Sequence, residues 1–257
     1  MANKRALVSV SNKKDIIPFT KGLKKKGFDI ITTGGTARDL IAAGIEVIKC
    51  EDYTGIQQSP LLKTMDDRIY GPMFYPGTDE ADIQKRRELV TDMIRFYSSR
   101  PDPESEITNI ALEINDPDSE PIKVDAEIVE YFSMTPITLI VNNFYPFEET
   151  VKKGGDLQTA VKNFDVGGPT MLRTAFKMGL LDKNIGILTN PHRYSAVLAE
   201  MDSEGNLPLD VIHGIGLESF GNLVAYDKAA HSHFENYALS TPGWARLPEI
   251  RKVAPMD

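Results

Sequence analysis

Apolar residues open the chain as a short run, Ala6-Leu7-Val8 with Val10, and then recur at helical spacing as Ile16, Ile17, Phe19 and Leu23. The run reads as a strand over 5–10 and the spaced set as a helix over 13–26. The same alternation follows at once. Residues 29–33 are strand-like and stop at Gly34-Gly35; Thr36 opens a helical stretch (Leu40, Ile41, Ala42) that ends at Gly44; 46–49 is a third strand. Strand, helix, strand, helix, strand is the signature of a parallel sheet with crossover helices.

From Tyr53 the pattern loosens. Residues 79–97 look helical and strongly charged, 107–114 alternate like a strand, 115–121 are rich in turn formers, and 124–132 fit strand or helix. Two continuous apolar runs, 137–141 and 185–188, have the character of strands buried on both faces. Helices are expected after Gly167-Gly168-Pro169 to about Met178, over 192–201, and over 210–239 despite Gly214, Gly216 and Gly221. The tail from Ser240, with Pro242, Pro248 and Pro255, is expected to be irregular or packed along the surface. The expectation is one α/β domain over 1–257: an open, mostly parallel sheet with flanking helices and further helices at the C-terminal end.

Composition narrows the function. The 257 residues are 41% hydrophobic and 26% charged, as in an ordinary globular protein with a substantial core. No apolar stretch approaches the ~20 residues of a membrane span, and the N-terminal apolar run is too soon interrupted for a signal peptide. The single cysteine, Cys50, excludes an internal disulfide and fits a reducing compartment, so a cytoplasmic location is expected. A net charge of −8 argues against a nucleic-acid partner, which needs a basic face. The lysines at 21 and 24–26 fit a solvated helix end. An acidic protein that binds an anion must do so with local donors.

Four stretches offer such donors. Ser9-Val10-Ser11-Asn12-Lys13 lies at the carboxyl end of the first strand, where open sheets bind ligands; it suits an oxyanion cradle or a helix N-cap with a solvated lysine. Thr32-Thr33-Gly34-Gly35-Thr36 ends the second strand, and its glycines let backbone N–H groups converge on an anion while the threonines add hydroxyls. It matches neither the P-loop nor the dinucleotide fingerprint. Two hydroxyl-rich loops at one sheet edge point to a phosphate monoester. Asn143-Phe144-Tyr145-Pro146-Phe147 follows a buried strand and leaves Tyr145 at the edge, as a free phenol or as part of an aromatic lid. In the segment from Asp165 to Lys177, a proline after two glycines exposes amides suited to an oxyanion. Arg173 and Lys177 share one helix face there, for an anionic ligand or for structural salt bridges.

Taken in order, Ser-Val-Ser-x-Lys, Thr-Gly-Gly-Thr, Tyr-Thr-Gly, Lys-Thr, Asn-x-Tyr-Pro-Phe and Asp-x-Gly-Gly-Pro-Thr-Met-Leu-Arg resemble the inosine monophosphate (IMP) cyclohydrolase domain of the bifunctional purine-biosynthesis enzymes. The likeness runs from about Lys4 to Tyr237 and includes Asn222-Leu223-Val224-Ala225-Tyr226-Asp227. It implies a fold similar to methylglyoxal synthase. It also implies dehydrative closure of 5-formamidoimidazole-4-carboxamide ribotide (FAICAR) to IMP, with no redox cofactor and no metal. Carried over by position, Ser11, Lys13, Thr33, Gly35 and Thr36 would hold the ribose 5′-phosphate, with Ser9 and Gly34 also among the substrate-binding residues. Lys63, Tyr145, Asp165 and Lys177 would be catalytic, with Thr64, Asn143 and the amides of Val166 and Gly167 beside the base.

The resemblance has gaps. The family's Arg-Val-Lys-Thr-Leu-His-Pro is Leu61-Leu62-Lys63-Thr64-Met65-Asp66-Asp67, so its arginine and histidine are replaced. Its Lys-Asn-His is Lys177-Met178-Gly179, and about 76–136 is an insertion, expected to form a cover or a subunit contact. Within these 257 residues there is no formyltransferase domain, so a separate formyltransferase is expected upstream, and a homodimer is one expected assembly. Two other functions stay open: a non-catalytic nucleotide-binding or regulatory module, and a phosphate-ester lyase of the methylglyoxal synthase type. His231-Ser232-His233, two apart on a helix, point in different directions and make a poor metal pair. Trp244 and Cys50 are expected to be packing residues.

Overall fold

The computed structural model describes residues 4–54, 64–98, 135–145, 147–152 and 156–241. Five strands form one sheet: β1 (Lys4–Val10), β2 (Phe28–Thr32), β3 (Ile48–Lys49), β4 (Ile137–Asn143) and β5 (Gly186–Leu188). Their order is β3-β2-β1-β4-β5 and every pairing is parallel. The chain builds outward from β1 to β3, then returns to lay β4 on the other side of β1. This reversal makes the carboxyl ends of β1 and β4 a topological switch point, the crevice where open α/β sheets take ligands.

Both faces of the sheet are covered, which is why its central strands read as unbroken apolar runs. On one face Ala6, Val8, Val10, Ile30, Leu139 and Val141 pack against α1 (Ile16–Lys25), α2 (Gly34–Ala42) and α9 (Tyr194–Glu200). On the other face Leu7, Ile31, Ile140 and Ile187 meet α3 (Cys50–Thr54), α4 (Asp67–Phe74), α6 (Phe147–Lys152) and α8 (Gly167–Gly179). A short α7 (Leu157–Lys162) adds Ala160 to the second layer. The 32-residue α10 (Leu209–Ser240) serves both layers, with Ile212 and Ile215 in the first and Leu223, Tyr226 and Ala230 in the second.

Among the described residues, the expected elements are present with shifted ends. The helix expected over 192–201 is a 3-10 turn, Pro191–Arg193, followed by α9; Asn190 caps the turn by accepting the His192 N–H at 3.0 Å. The third strand is only two residues long, because the chain turns into α3 at the buried Cys50. Strand β4 runs on through Asn142 and Asn143, and α4, α6 and α7 have no counterpart in the sequence pattern.

Part of the insertion is described. It forms α5 (Glu80–Ser98), which packs on α4. Its charge is only partly solvated. Arg86 is fully buried and donates to the carbonyls of Tyr75 and Gly77, while Asp82 accepts the Gly77 N–H at 2.7 Å and faces Lys183 at 3.4 Å. The strand expected over 107–114 and the segments at 115–121 and 124–132 lie outside the described residues, as does Trp244.

Candidate functional site

The β1 side of the switch point is a network of short polar contacts. Ser9 and Thr33 share a hydroxyl–hydroxyl bond of 2.7 Å that ties the end of β1 to the start of α2. Thr36, almost fully buried, donates to the Val10 carbonyl at 3.1 Å and accepts from the Val10 N–H at 3.2 Å. The ammonium of Lys13 folds over the same spot, donating to Thr36 Oγ1 at 2.6 Å and to the Val10 carbonyl. Its third hydrogen remains for a ligand, because an ammonium has three donors. Partial burial lowers the Lys13 pKa, with Asp39 opposing that shift.

Gly34 stands at φ 43°, a left-handed conformation that a side chain disfavours, and there α2 begins. The space above Gly34 and Gly35 is open, and among the described residues their N–H groups meet no acceptor. Uncapped amides at a helix start, two hydroxyls and one ammonium make an anion cradle. Asn143 acts differently. Its Oδ1 accepts the N–H groups of Ser11 and Asn12 at 2.7 and 2.8 Å, and its Nδ2 donates to the Asn12 carbonyl at 3.1 Å. It therefore clamps the β1 loop from β4, and it takes two loop amides away from any ligand, while the Ser11 hydroxyl has no partner among the described residues.

The β4 side centres on the amino end of α8. Asp165 precedes this helix, and its Oδ1 accepts the Gly168 N–H at 3.1 Å. Its own N–H donates to the Tyr226 hydroxyl at 2.7 Å, and that hydroxyl donates to the Asn163 carbonyl at 3.2 Å, so α10 fixes the Asp165 turn. Burial pushes the Asp165 carboxyl up, against the smaller lowering effect of the Gly168 N–H. Burial likewise raises Tyr226, to about 12.

Glycine is needed twice here. A Cβ on Gly167 would sit 2.9 Å from Thr64 Oγ1, and one on Gly168 would sit 2.8 Å from both Asn142 Oδ1 and Asp165 Oδ2. Thr64, Asn142 and Asp165 therefore converge on the start of α8. The N–H groups of Val166 and Gly167 donate to nothing among the described residues, so they are available to developing negative charge.

Of the residues expected at the site, Ser9, Ser11, Lys13, Thr33, Gly34, Gly35 and Thr36 gather on one side. Thr64, Asp165, Val166 and Gly167 gather on the other, and Asn143 links β4 to the β1 loop. Tyr145 follows β4 and is 51% exposed. Lys63 and Pro146 lie outside the described residues. Lys177 is exposed in the last turn of α8, about 15 Å along the axis from Gly167 by helical rise. Arg173 on the same helix pairs with Asp227 at 2.5 Å, a link between α8 and α10. Arg68, near the lost arginine in sequence, forms a buried two-point pair with Asp66 at 2.8 and 2.9 Å.

Two residues of this site were not singled out by the sequence. Tyr226 lay within the Ala-Tyr-Asp stretch of the resemblance, with nothing to mark its hydroxyl as a clamp. Asn142 directly follows the apolar run at 137–141 and is 2% exposed, with Oδ1 unpartnered among the described residues.

Residues 15–170 match the MGS-like domain family. The crystal structure of ForH is similar at a TM-score of 0.60 and 22% identity, covering 91% of this chain and 100% of that one. At that identity the likeness speaks for the fold alone. No described helix is long and apolar enough to cross a membrane.

Proposed function

The chain belongs to the MGS-like domain family, and from that premise we propose that it is an IMP cyclohydrolase, closing the second purine ring on FAICAR. One observation carries the reading: an anion cradle follows β1, and a half-buried carboxylate at a helix amino end packs beside the end of the adjacent strand β4. A phosphorylated imidazole with two polar arms needs both features at once.

The chemistry follows from the groups present. Lys13, Ser11 and the α2 amides hold the 5′-phosphate. Asp165 accepts the formamido N–H and turns the formyl carbon toward the carboxamide nitrogen. As that nitrogen attacks, the C–N bond forms and charge moves to the formyl oxygen, which the Val166 and Gly167 amides receive. The attacking nitrogen gives up one of its two protons and the formamido nitrogen gives up its N–H. The oxygen takes up both and leaves as water as the C–O bond breaks and the formamido nitrogen forms the C=N bond, and Lys63 and Tyr145 are the groups assigned to these transfers. Lys177, at the far end of α8, is given no contact with the oxyanion.

A second reading has one observation behind it. Asp66, where the family has histidine, is buried in its pair with Arg68 and presents no accessible acid or base. That suits a nucleotide-binding module without turnover. Neither reading involves a metal or cofactor.

The phosphate assignment is tested with Lys13→Ala. Loss of a charged hydrogen bond of about 1.5–3 kcal/mol should weaken IMP binding by about 10- to 100-fold. Binding of inosine, which has no phosphate, should change little. Equal losses for both ligands, measured by calorimetry, would remove the phosphate from this loop.

A further inference from the structure

The purine-precursor reading asks the β4 side of the crevice to hold two N–H groups, one on each arm of the substrate, and Asp165 accounts for one. Asn142 lies next to it. This residue sits on β4, paired in register with Ser9 of β1, and its side chain is buried where β4 meets the start of α8. Its Oδ1 has no hydrogen-bond partner among the described residues. Folded proteins rarely leave such an atom unpaired, because burial has already removed its water. The position of the orphan is specific: Asn142 Oδ1 and Asp165 Oδ2 both lie 2.8 Å from the point where a Gly168 Cβ would be. Asp165 Oδ1 is occupied by the Gly168 N–H, and its Oδ2 accepts nothing among the described residues. Two acceptor oxygens thus flank one end of α8, each ready for an N–H.

We propose that Asn142 contacts the ligand directly, its Oδ1 accepting the carboxamide N–H of the substrate and the N1–H that this nitrogen carries in IMP. Asp165 takes the formamido arm, so the pair reads a vicinal amide–formamide and rejects an imidazole that lacks either arm. This inference rests on the function proposed above and adds the residue that recognises the nucleophilic arm. A buried amide with a purely structural role would not distinguish a base from a phosphate, and that difference is what can be measured.

The test uses the whole chain carrying Asn142→Leu, close in shape and without the amide, with IMP and ribose 5-phosphate as probes. Removing an unpaired buried amide should raise the melting temperature of the ligand-free protein. Affinity for IMP should fall about tenfold or more, as for one lost buried hydrogen bond, and affinity for ribose 5-phosphate should stay as in the wild type. An IMP affinity unchanged in a folded variant overturns the role of Asn142 alone. Wild-type protein that binds no IMP overturns the cyclohydrolase reading and this inference with it. Should the variant not fold, purine riboside 5′-phosphate, which lacks N1–H, is compared with IMP on the wild type. Weaker binding of the riboside supports the contact, and equal binding refutes it.

Discussion

Asp165 joins a titration to a position in the fold. Its folded pKa is raised, chiefly by burial. Above that pKa the folded state therefore carries a desolvated carboxylate, which the unfolded chain would solvate. Stability is reduced there, and the penalty is relieved as pH falls through the folded value toward that of the unfolded chain. Asp165→Asn, which keeps an acceptor for the Gly168 N–H, should then raise the melting temperature at pH 7–8. The gain should shrink to nothing as pH approaches the ordinary carboxylate range, and thermal melts across pH read this directly. A gain that persists at low pH would mean that the carboxylate is not the strained group. At this scale the sequence singled out the β1 loop, whose hydroxyls and lysine after a strand suit an anion cradle or a helix N-cap. Asn142 was not, since only the packed sheet shows that its amide is dry and unpaired. Asn143 was expected among the site residues, while its work as a clamp on Ser11 and Asn12 depends on the β1–β4 register.

Elements whose sequence pattern matched their burial were the easy ones: β1, α1, β2, α2, β4, α8 and α10. Helix α5 shows why others were not. A charged stretch reads as a solvated face, yet here Arg86 and Asp82 are buried against carbonyl and amide groups of the preceding turn. Helix α4 depends on a similar device. Asp66 caps it by accepting the Arg68 N–H at 2.9 Å and also pairs with the Arg68 side chain. Arg68→Ala should therefore leave a buried carboxylate without its cation and cost about 3–5 kcal/mol. Denaturant unfolding should show that loss, with turnover per folded molecule little changed. A variant of full stability and much reduced turnover would instead make Arg68 part of the chemistry, in place of the family's missing arginine.

For the whole molecule, strand–helix alternation foretold a parallel sheet but not its order. That order builds the proposed site, because the return of β4 to the flank of β1 brings loops more than a hundred residues apart in sequence together. With a net charge of −8, an anion would have to be held by local donors, which in the proposed cradle are Lys13 and uncharged groups. Ring closure in this crevice is what the proposed function requires. Purified protein mixed with FAICAR, and followed for IMP against a protein-free control, tests that claim most directly. IMP should form well above the control, at a rate reduced about 10²–10⁴-fold by Lys63→Ala, as for loss of a positioned proton donor or acceptor. IMP formation at the control rate, by protein that nevertheless binds IMP, would contradict it and leave a nucleotide-binding module.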